Sequence, residues 1–437
     1  MTAPVSPDLP LEELRIDGDR LVRRLEDLAA IGPIEGGGSC RLALTDEDRA
    51  GRDLVMAWMH DLGLSVTVDA IGNVVGTRPG RTNGPPTMTG SHIDTVATGG
   101  RYDGNLGVLA GLEVLETLER CGIETEHPVA VAFFTDEEGA RFPPDMLGSL
   151  VYVGGLALEE ALDVVGIDGA VLGDELDRIG YRGTAPCPGP HPRAFVELHV
   201  EQGPVLEAEC TTIGAVTGVQ GISWTELAIT GQSNHAGTTP MELRHDAGHV
   251  AAAIAVHARS VAARLNERTA AEGRDDRQVA TVGRLDLHPD LVNVVAGSAT
   301  MTVDLRNTDE GLLREAEADV AAFVAGMAAD EGVAIVDRTL ARFEPVVFDD
   351  RVVDMVADVA GRLGHAVRRM PSGAGHDAQM LARVCPTGMV FVPSRDGISH
   401  NPAEHTDPAD LVAGADVLLQ TLLALDGLEL DLRDPTR

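Results

Sequence analysis

Positive charge is scarce in this sequence. Lys and Arg number 34 against 69 Asp and Glu, giving a formal net charge of -35 over 437 residues. A chain so acidic repels phosphate backbones and anionic membrane surfaces, so neither nucleic acid nor a membrane is an expected partner. The ordinary meaning of the excess is a charged, soluble surface, though a few carboxylates remain available for metals. Cysteine is also sparse. Cys40, Cys121, Cys187, Cys210 and Cys385 are scattered, odd in number and without a Cys-x-x-Cys pair. A disulfide frame and a thiolate zinc site are thereby excluded, and free thiols of a reducing cytoplasm are expected. No segment approaches the roughly 18 apolar residues of a membrane span. Met1–Asp19 lacks a basic head followed by an apolar stretch, so no signal peptide is expected and the location is expected to be cytoplasmic. There is no Gly-x-Ser-x-Gly elbow for a serine nucleophile. Gly214, Gly218 and Gly221 make no phosphate loop, because Gly-x-x-x-x-Gly-Lys-Ser/Thr is absent.

What is present is apolar patterning sufficient for a large core, 44% of residues, in a chain long enough for two domains. Residues 46–62 have a helical pattern. Val66–Asp69 and Asn73–Thr77 read as paired strands around Ile71-Gly72. Thr87–Ser91, Pro128–Phe134 and Ala194–Val200 read as strands, and Gly104–Cys121 as a helix. Alternating strands and helices predict an α/β fold with a mostly parallel sheet sandwiched by helices. The chemistry of such sheets lies beyond the carboxyl ends of the strands. The middle of the chain reads differently. Strands at Trp224–Thr230, Gln278–Arg284, Ala299–Arg306 and Val333–Leu340 alternate with helices at Asp246–Leu265 and Asp309–Asp330. That β-α-β-β-α-β order predicts a ferredoxin-like α+β domain inserted into the first. The expected division is a catalytic domain over 1–213 and 344–437, interrupted by an inserted domain over 214–343. After Phe348 the α/β pattern resumes, with strands at His365–Arg369 and Met389–Val392. Arg182–Pro192 reads as a surface loop.

The chemistry-bearing residues gather at expected strand ends. His92 and Asp94 form His-x-Asp after the Thr87–Ser91 strand. A metal-bound histidine hands its other ring N–H to an acceptor, and Asp94 is placed to be that acceptor. Asp103 precedes a helix, where it could cap the helix or bridge two metals. Glu137 and Glu138 follow an apolar strand directly. Adjacent side chains leave a loop in different directions, so one can bind a metal while the other faces the metal-bound water. His199 stands in the alternating segment Val196–Glu201, and His400 in a loop after Met389–Val392. Taken singly, each has a bland reading as a strand, loop or turn residue. Together, three histidines and two carboxylates are the inventory of a two-zinc site, with one carboxylate left over as a base.

These segments carry a resemblance. Gly90-Ser91-His92-Ile93-Asp94-Thr95-Val96, Tyr102-Asp103-Gly104, Glu137-Glu138-Gly139-Ala140-Arg141-Phe142, His199-Val200-Glu201-Gln202-Gly203-Pro204, His235-Ala236-Gly237-Thr238-Thr239-Pro240-Met241, Gly373-Ala374-Gly375-His376-Asp377-Ala378 and Ser399-His400 resemble the hydantoinase/carbamoylase-type amidases. These belong to the dinuclear-metal aminoacylase/carboxypeptidase superfamily and include N-carbamoyl-L-amino acid hydrolases, allantoate amidohydrolases and β-ureidopropionases. The resemblance runs nearly end to end. It implies a zinc-exopeptidase-like catalytic domain whose inserted domain serves as lid and dimer interface. It implies two divalent ions per subunit, zinc foremost, with manganese, cobalt and nickel also accepted by these donors. His92 and His199 would hold one ion, Glu138 and His400 the other, and Asp103 would bridge them. Glu137 would be the base and Asp94 would orient His92. His235 would stabilise the oxyanion, in its own subunit or across the dimer. Gln202, Asn293 and Arg306 would hold a substrate carboxylate, with His376 near the site. The implied reaction is cleavage of the carbamoyl C–N bond of an N-carbamoyl-L-amino acid. Allantoate or 3-ureidopropionate is the alternative substrate, and an acyl-amino acid or peptide a further one. A metal-binding protein without turnover is the reading from another class, and the intact Glu137 speaks against it. Leu150 stands where relatives often carry a small or basic residue, in a segment expected to border the pocket.

Overall fold

The computed structural model describes residues 10–428 except Asp275; residues 1–9, part of the Met1–Asp19 segment without a signal-peptide pattern, lie outside the described residues. Helix α1 (Gly18–Ala29) starts at Asp17, whose carboxylate accepts the Arg20 N–H. Helix α2 (Asp46–Asp61) starts at Thr45, whose hydroxyl accepts the Asp48 N–H. Both are side-chain caps for donors that the first helical turn leaves unpaired. Strands β1 (Ser65–Val68) and β2 (Val74–Arg78) form the expected hairpin, with Gly72 at φ +87 in its turn. Then follow β3 (Thr87–His92), helix α3 (Asn105–Arg120) and β4 (Val129–Phe134). Short helices α4 (Leu147–Tyr152), α5 (Leu158–Leu162) and α6 (Leu172–Ile179) lead to β5 (Ala194–Val200), α7 (Val205–Ala208) and β6 (Ile213–Val219). Every residue of β3, β4 and β5 is buried. Strands covered on both faces carry such unbroken burial.

The second unit, Val219–Val346, is built from β7 (Gly221–Thr230), α8 (Ala247–Ala271), β8 (Val279–Thr281), β9 (Leu285–His288), β10 (Ser298–Asn307), α9 (Glu310–Glu331) and β11 (Ala334–Phe343). Its antiparallel sheet has the order β11-β7-β10-β8, with β9 also on β10. Alternate residues of β10, namely Ala299, Met301, Val303 and Leu305, turn into a core with Val250, Ile254 and Leu313 of the helices. The strand expected over Gln278–Arg284 is only Val279–Thr281, and β9 is a further strand that was not expected, so the segment has the order β-α-β-β-β-α-β. Residues 282–284 leave the ladder, keeping one bond from the Thr302 N–H to the Arg284 carbonyl.

The chain then returns to the first unit through β12 (Val346–Val347), α10 (Asp350–Arg362), β13 (Val367–Ser372), α11 (Asp377–Leu381), β14 (Thr387–Val392) and α12 (Pro408–Asp426). The first sheet runs β1-β2-β4-β3-β5-β14-β6-β12, with β13 on β6. Its centre, β4-β3-β5-β14, is parallel. The β1–β2, β2–β4 and β14–β6 pairs are antiparallel, so the sheet is mixed rather than mostly parallel. A tight turn between β1 and β2 forces reversal, whereas parallel neighbours need a crossover such as α3. The unit boundaries also shift. The expected cut at 213/214 falls inside β6, whose Val216 faces Met389 of β14, so the first unit runs to Gly218 and resumes at Val347.

Helix α12 corrects the statement about apolar runs. It is long and apolar enough, by length and composition, to cross a membrane, but most of it is buried against α3, β5, β14 and α10. Core burial accounts for its apolarity. None of the five cysteines is in a disulfide.

Helix α3, which leads away from Asp103, is fixed on two sides. On the sheet side, a Cβ at Gly107 would stand 2.6 Å from the Leu198 carbonyl oxygen, so glycine lets the helix lie directly on the strands. On the other side, Glu113 accepts from Arg20 Nε at 2.8 Å and from Arg24 at 3.3 Å, while Arg24 reaches Glu116 at 2.6 Å. Removing Glu113 leaves both arginines to Glu116, at 3.1 and 2.6 Å. Glu113→Ala is therefore expected to destabilise the protein by about 1–3 kcal/mol in urea unfolding; a loss under about 0.5 kcal/mol would show that Glu116 alone satisfies them.

Candidate metal centre

His92 is the last residue of β3 and His199 the sixth of β5, so parallel neighbours deliver both imidazoles to one edge of the sheet. His92 Nδ1 lies 2.9 Å from the Asp94 carbonyl oxygen, and His199 Nδ1 lies 2.8 Å from that of Val200. A carbonyl only accepts, so both rings carry a proton on Nδ1 and turn Nε2 toward the centre. Asp103 faces both Nε2 atoms. Its Oδ1 is 3.6 Å from His92 Nε2 and 3.2 Å from His199 Nε2. Asp103 does not cap α3. That position belongs to Gly104, at φ +64, where a Cβ would stand 2.4 Å from the His92 ring. Glycine is required there twice, by conformation and by space. With capping excluded, the Asp103 carboxylate faces the histidines.

The second group forms on the other oxygen. Asp103 Oδ2 is 3.5 Å from His400 Nε2, which is 3.3 Å from Glu138 Oε2. Two donors about 2 Å from one tetrahedral ion stand about 3.3 Å apart, so both sets of spacings suit a divalent metal. The two triads, His92–Asp103–His199 and Asp103–Glu138–His400, share Asp103. Imidazole nitrogens with carboxylate oxygens suit zinc and its first-row neighbours. A third grouping, Glu197–His199–His376, is closed. Both Glu197 oxygens are engaged, by the Ser91 hydroxyl at 2.6 Å and the Ala378 N–H at 2.8 Å.

Glu137 and Glu138 diverge as consecutive residues should. Glu137 Oε2 is 3.4 Å from His92 Nε2, while Glu138 reaches His400. Asp94 sets this loop in place. Its carboxylate accepts the Glu137 and Glu138 N–H groups, each at 3.3 Å. This corrects the expectation that the Asp94 side chain orients His92. The backbone carbonyl does so at 2.9 Å, and the carboxylate stands off at 3.8 Å. Burial pushes the Glu137 carboxyl well above its usual range, and the Asp377, Glu138 and Asp103 carboxylates push the same way against His92. Burial opposes charge on Asp103 too, but hydrogen bonds to His199 and His92 hold it well below the usual range.

The remaining expected residues fall in three places. Gln202 donates from Nε2 to Asp103 Oδ2 at 2.9 Å, so in this structure its amide serves Asp103 rather than facing a substrate carboxylate. His376 is buried behind His199, ring centroids 4.6 Å apart, with Nε2 2.9 Å from the Ser372 hydroxyl. Burial, and then the nearby His199 charge, hold it well below its usual value, so it is a neutral wall to the site. His235, Asn293 and Arg306 belong to the second unit. The Gly237 and Thr238 N–H groups both point at His235 Nδ1, at 3.1 and 3.2 Å, so its proton sits on Nε2 as an outward donor. Asn293 lies beside it, its carbonyl accepting the Ala236 N–H. Arg306 pairs with Asp304 at 3.0 Å and lies over the Trp224 ring.

Three further residues support the site without having been singled out from the sequence. Arg41, fully buried, donates to the Ile93 carbonyl and to Asn105, bracketing the segment between β3 and α3. Burial lowers it to about 10. Glu197 joins β3, β5 and α11 behind His199. Glu404 accepts three backbone N–H groups from residues 101–103. A lone charge inside an apolar strand, as in Ala194–Val200, was the available signal for Glu197; the other two have none.

Known proteins resemble this chain along most of its length. The family model described as Peptidase family M20/M25/M40 matches residues 88–424. An N-carbamoyl-L-amino-acid amidohydrolase of Rhizobium meliloti is 41% identical over 95% of this chain and 98% of its own length. One from Geobacillus stearothermophilus is 38% identical over 94% and 99%. Among solved structures, a hydantoinase/carbamoylase family amidase from Burkholderia multivorans superposes with a TM-score of 0.89 at 46% identity, covering 94% of this chain and 98% of that one.

Asp94→Ala removes the acceptor that holds two successive N–H groups of the Glu137–Glu138 loop. Zinc affinity of the chelator-treated protein, read by titration calorimetry, is expected to fall about 10–100-fold. An unchanged affinity would remove Asp94 from the support of the site.

Proposed function

We propose that this chain, which belongs to peptidase family M20/M25/M40, is a metal-dependent amidohydrolase that cleaves the carbamoyl C–N bond of N-carbamoyl-L-amino acids. One water is consumed, and the products are the L-amino acid, carbon dioxide and ammonia. The observation that carries the reading is the pair of donor triads sharing Asp103, with the Glu137 carboxylate beside them. The names of the relatives support the substrate class.

His92 and His199 would hold one ion, Glu138 and His400 the other, with Asp103 between them. Bound there, two divalent ions supply a hydroxide near neutral pH and polarise the carbonyl, which a poorly electrophilic carbamoyl group needs. Zinc is the expected metal, and manganese, cobalt or nickel would suit the same donors. Glu137 takes the proton of the attacking water and returns it to the leaving nitrogen. Its carboxylate stands 3.4 Å from His92 Nε2, beside the donor triads, where it can serve both steps. Asp94 holds Glu137 in place through its backbone. His235, with its proton on Nε2, is suited to donate to the oxygen that becomes negative. Arg306 offers a planar, two-donor match for a substrate carboxylate, with Asn293 and Gln202 as further contacts. The inserted domain is proposed as lid and dimer interface of a cytoplasmic homodimer, and the lid residues act in their own subunit or across the dimer.

Metal-loaded protein is expected to cleave N-carbamoyl-L-methionine and to lose that activity to a chelator. N-carbamoyl-D-methionine, N-acetyl-L-methionine, 3-ureidopropionate and allantoate form the comparison panel, with products read by mass spectrometry. Turnover of allantoate or 3-ureidopropionate alone would keep the mechanism and change the substrate. Glu137→Gln is expected to keep both ions and to lose about 10²–10⁴-fold in turnover. Substantial residual activity would refute its role as the base.

A further inference from the structure

We infer that Glu404 is the positioning residue that locks together the two loops carrying Asp103 and His400, and so sets the spacing of the second donor triad. The inference rests on the two-ion reading proposed above. Asp103 and His400 come from opposite ends of the first unit's chain, yet their donor atoms must stand 3.5 Å apart. His400 is half exposed and sits at φ +53, so its place depends on the turn that it begins. That turn is closed by the Asn401 carbonyl, which accepts the Glu404 N–H at 2.9 Å. The Asn401 side chain accepts the Ala403 N–H at 2.9 Å. Glu404 then reaches back into the other loop. Its single oxygen Oε1 accepts the N–H groups of Arg101 at 3.2 Å, Tyr102 at 2.8 Å and Asp103 at 3.3 Å. Three convergent donors on one acceptor oxygen make a directional tie. The side chain is buried, 5% exposed. It fits because residue 100 is glycine: a Cβ there would stand 2.2 Å from the Glu404 carboxyl carbon. Two lighter contacts run the same way, Thr98 Oγ1 to the His400 carbonyl at 3.1 Å and Ser399 Oγ to Asp103 Oδ2 at 3.1 Å.

Reach rather than charge is what this geometry demands, and two conservative variants separate them. Glu404→Asp keeps the charge and withdraws the acceptor by one methylene. Glu404→Gln keeps the length and an acceptor oxygen without the charge. Zinc is titrated calorimetrically into each full-length, chelator-treated protein, and bound zinc is counted by elemental analysis. The Asp variant is expected to bind the ion of the Asp103–Glu138–His400 triad about 10–100-fold more weakly and the other, held also by two histidines, with a smaller loss. The Gln variant is expected to bind both as the wild type does. Three results overturn the inference. The Asp variant could bind both ions normally. The Gln variant could be the one that loses an ion. The Asp variant could weaken both ions alike while the metal-free protein also melts lower, which marks a merely structural role. Failure of the two-ion reading is separately visible, because wild-type protein would then bind fewer than two ions.

Discussion

The Asp103 carboxylate, facing a histidine pair with one oxygen and a histidine–glutamate pair with the other, is the contact on which the site depends. An aspartate just before a helix ordinarily turns inward to cap it. Here the capping position falls to Gly104, whose left-handed backbone and missing Cβ leave room for the His92 ring. Had Asp103 capped α3, both triads would have lost their common member. The supports around it act on this one group: Arg41 brackets the segment before α3, Gln202 and Ser399 donate to Oδ2, and Glu404 gathers its backbone.

The scaffold explains why residues so far apart in the chain reach one place. Strands β3, β4, β5 and β14 are parallel neighbours and end along one edge. His92 ends β3, Glu137 follows β4, His199 lies near the end of β5, and His400 follows β14. This is the general location of sites in parallel α/β sheets, and here the antiparallel margins contribute no member of either triad. Packing several carboxylates at one buried edge is unfavourable unless cations answer them. The histidines do so in part, and divalent ions would do so more fully. Without such ions, burial and this crowding raise the Glu137 carboxyl well above its usual range.

Much of this arrangement was legible in the sequence, for a particular reason. His92, Glu137 and Glu138 end or follow expected strands, Asp103 precedes an expected helix and His199 lies in an alternating segment, all readable from local periodicity. His400 was legible only through its motif. Strands β1 to β5 were found nearly at their true bounds, yet the pairing directions were not, because pairing depends on neighbours that a linear pattern does not name. Strand β6 was missed as part of that sheet, which moved the domain boundary into the wrong element. Arg41 and Glu404 were invisible because both act on backbone groups. A backbone acceptor or donor has no residue type, so no motif records it.

The sequence by itself determined the donor inventory, the change of pattern in the middle of the chain and, through its motifs, the family. These depend on residue identity and on local periodicity, which a linear chain carries in full. Only the tertiary structure decided which oxygen of Asp103 faces which partners. It alone showed that a carbonyl rather than a carboxylate holds His92, that the Asp94 side chain serves the Glu137–Glu138 loop, and that Glu404 ties two distant loops together. Each of these is a hydrogen bond whose partner is chosen by distances of a few tenths of an ångström, and such distances exist only once the strands have packed.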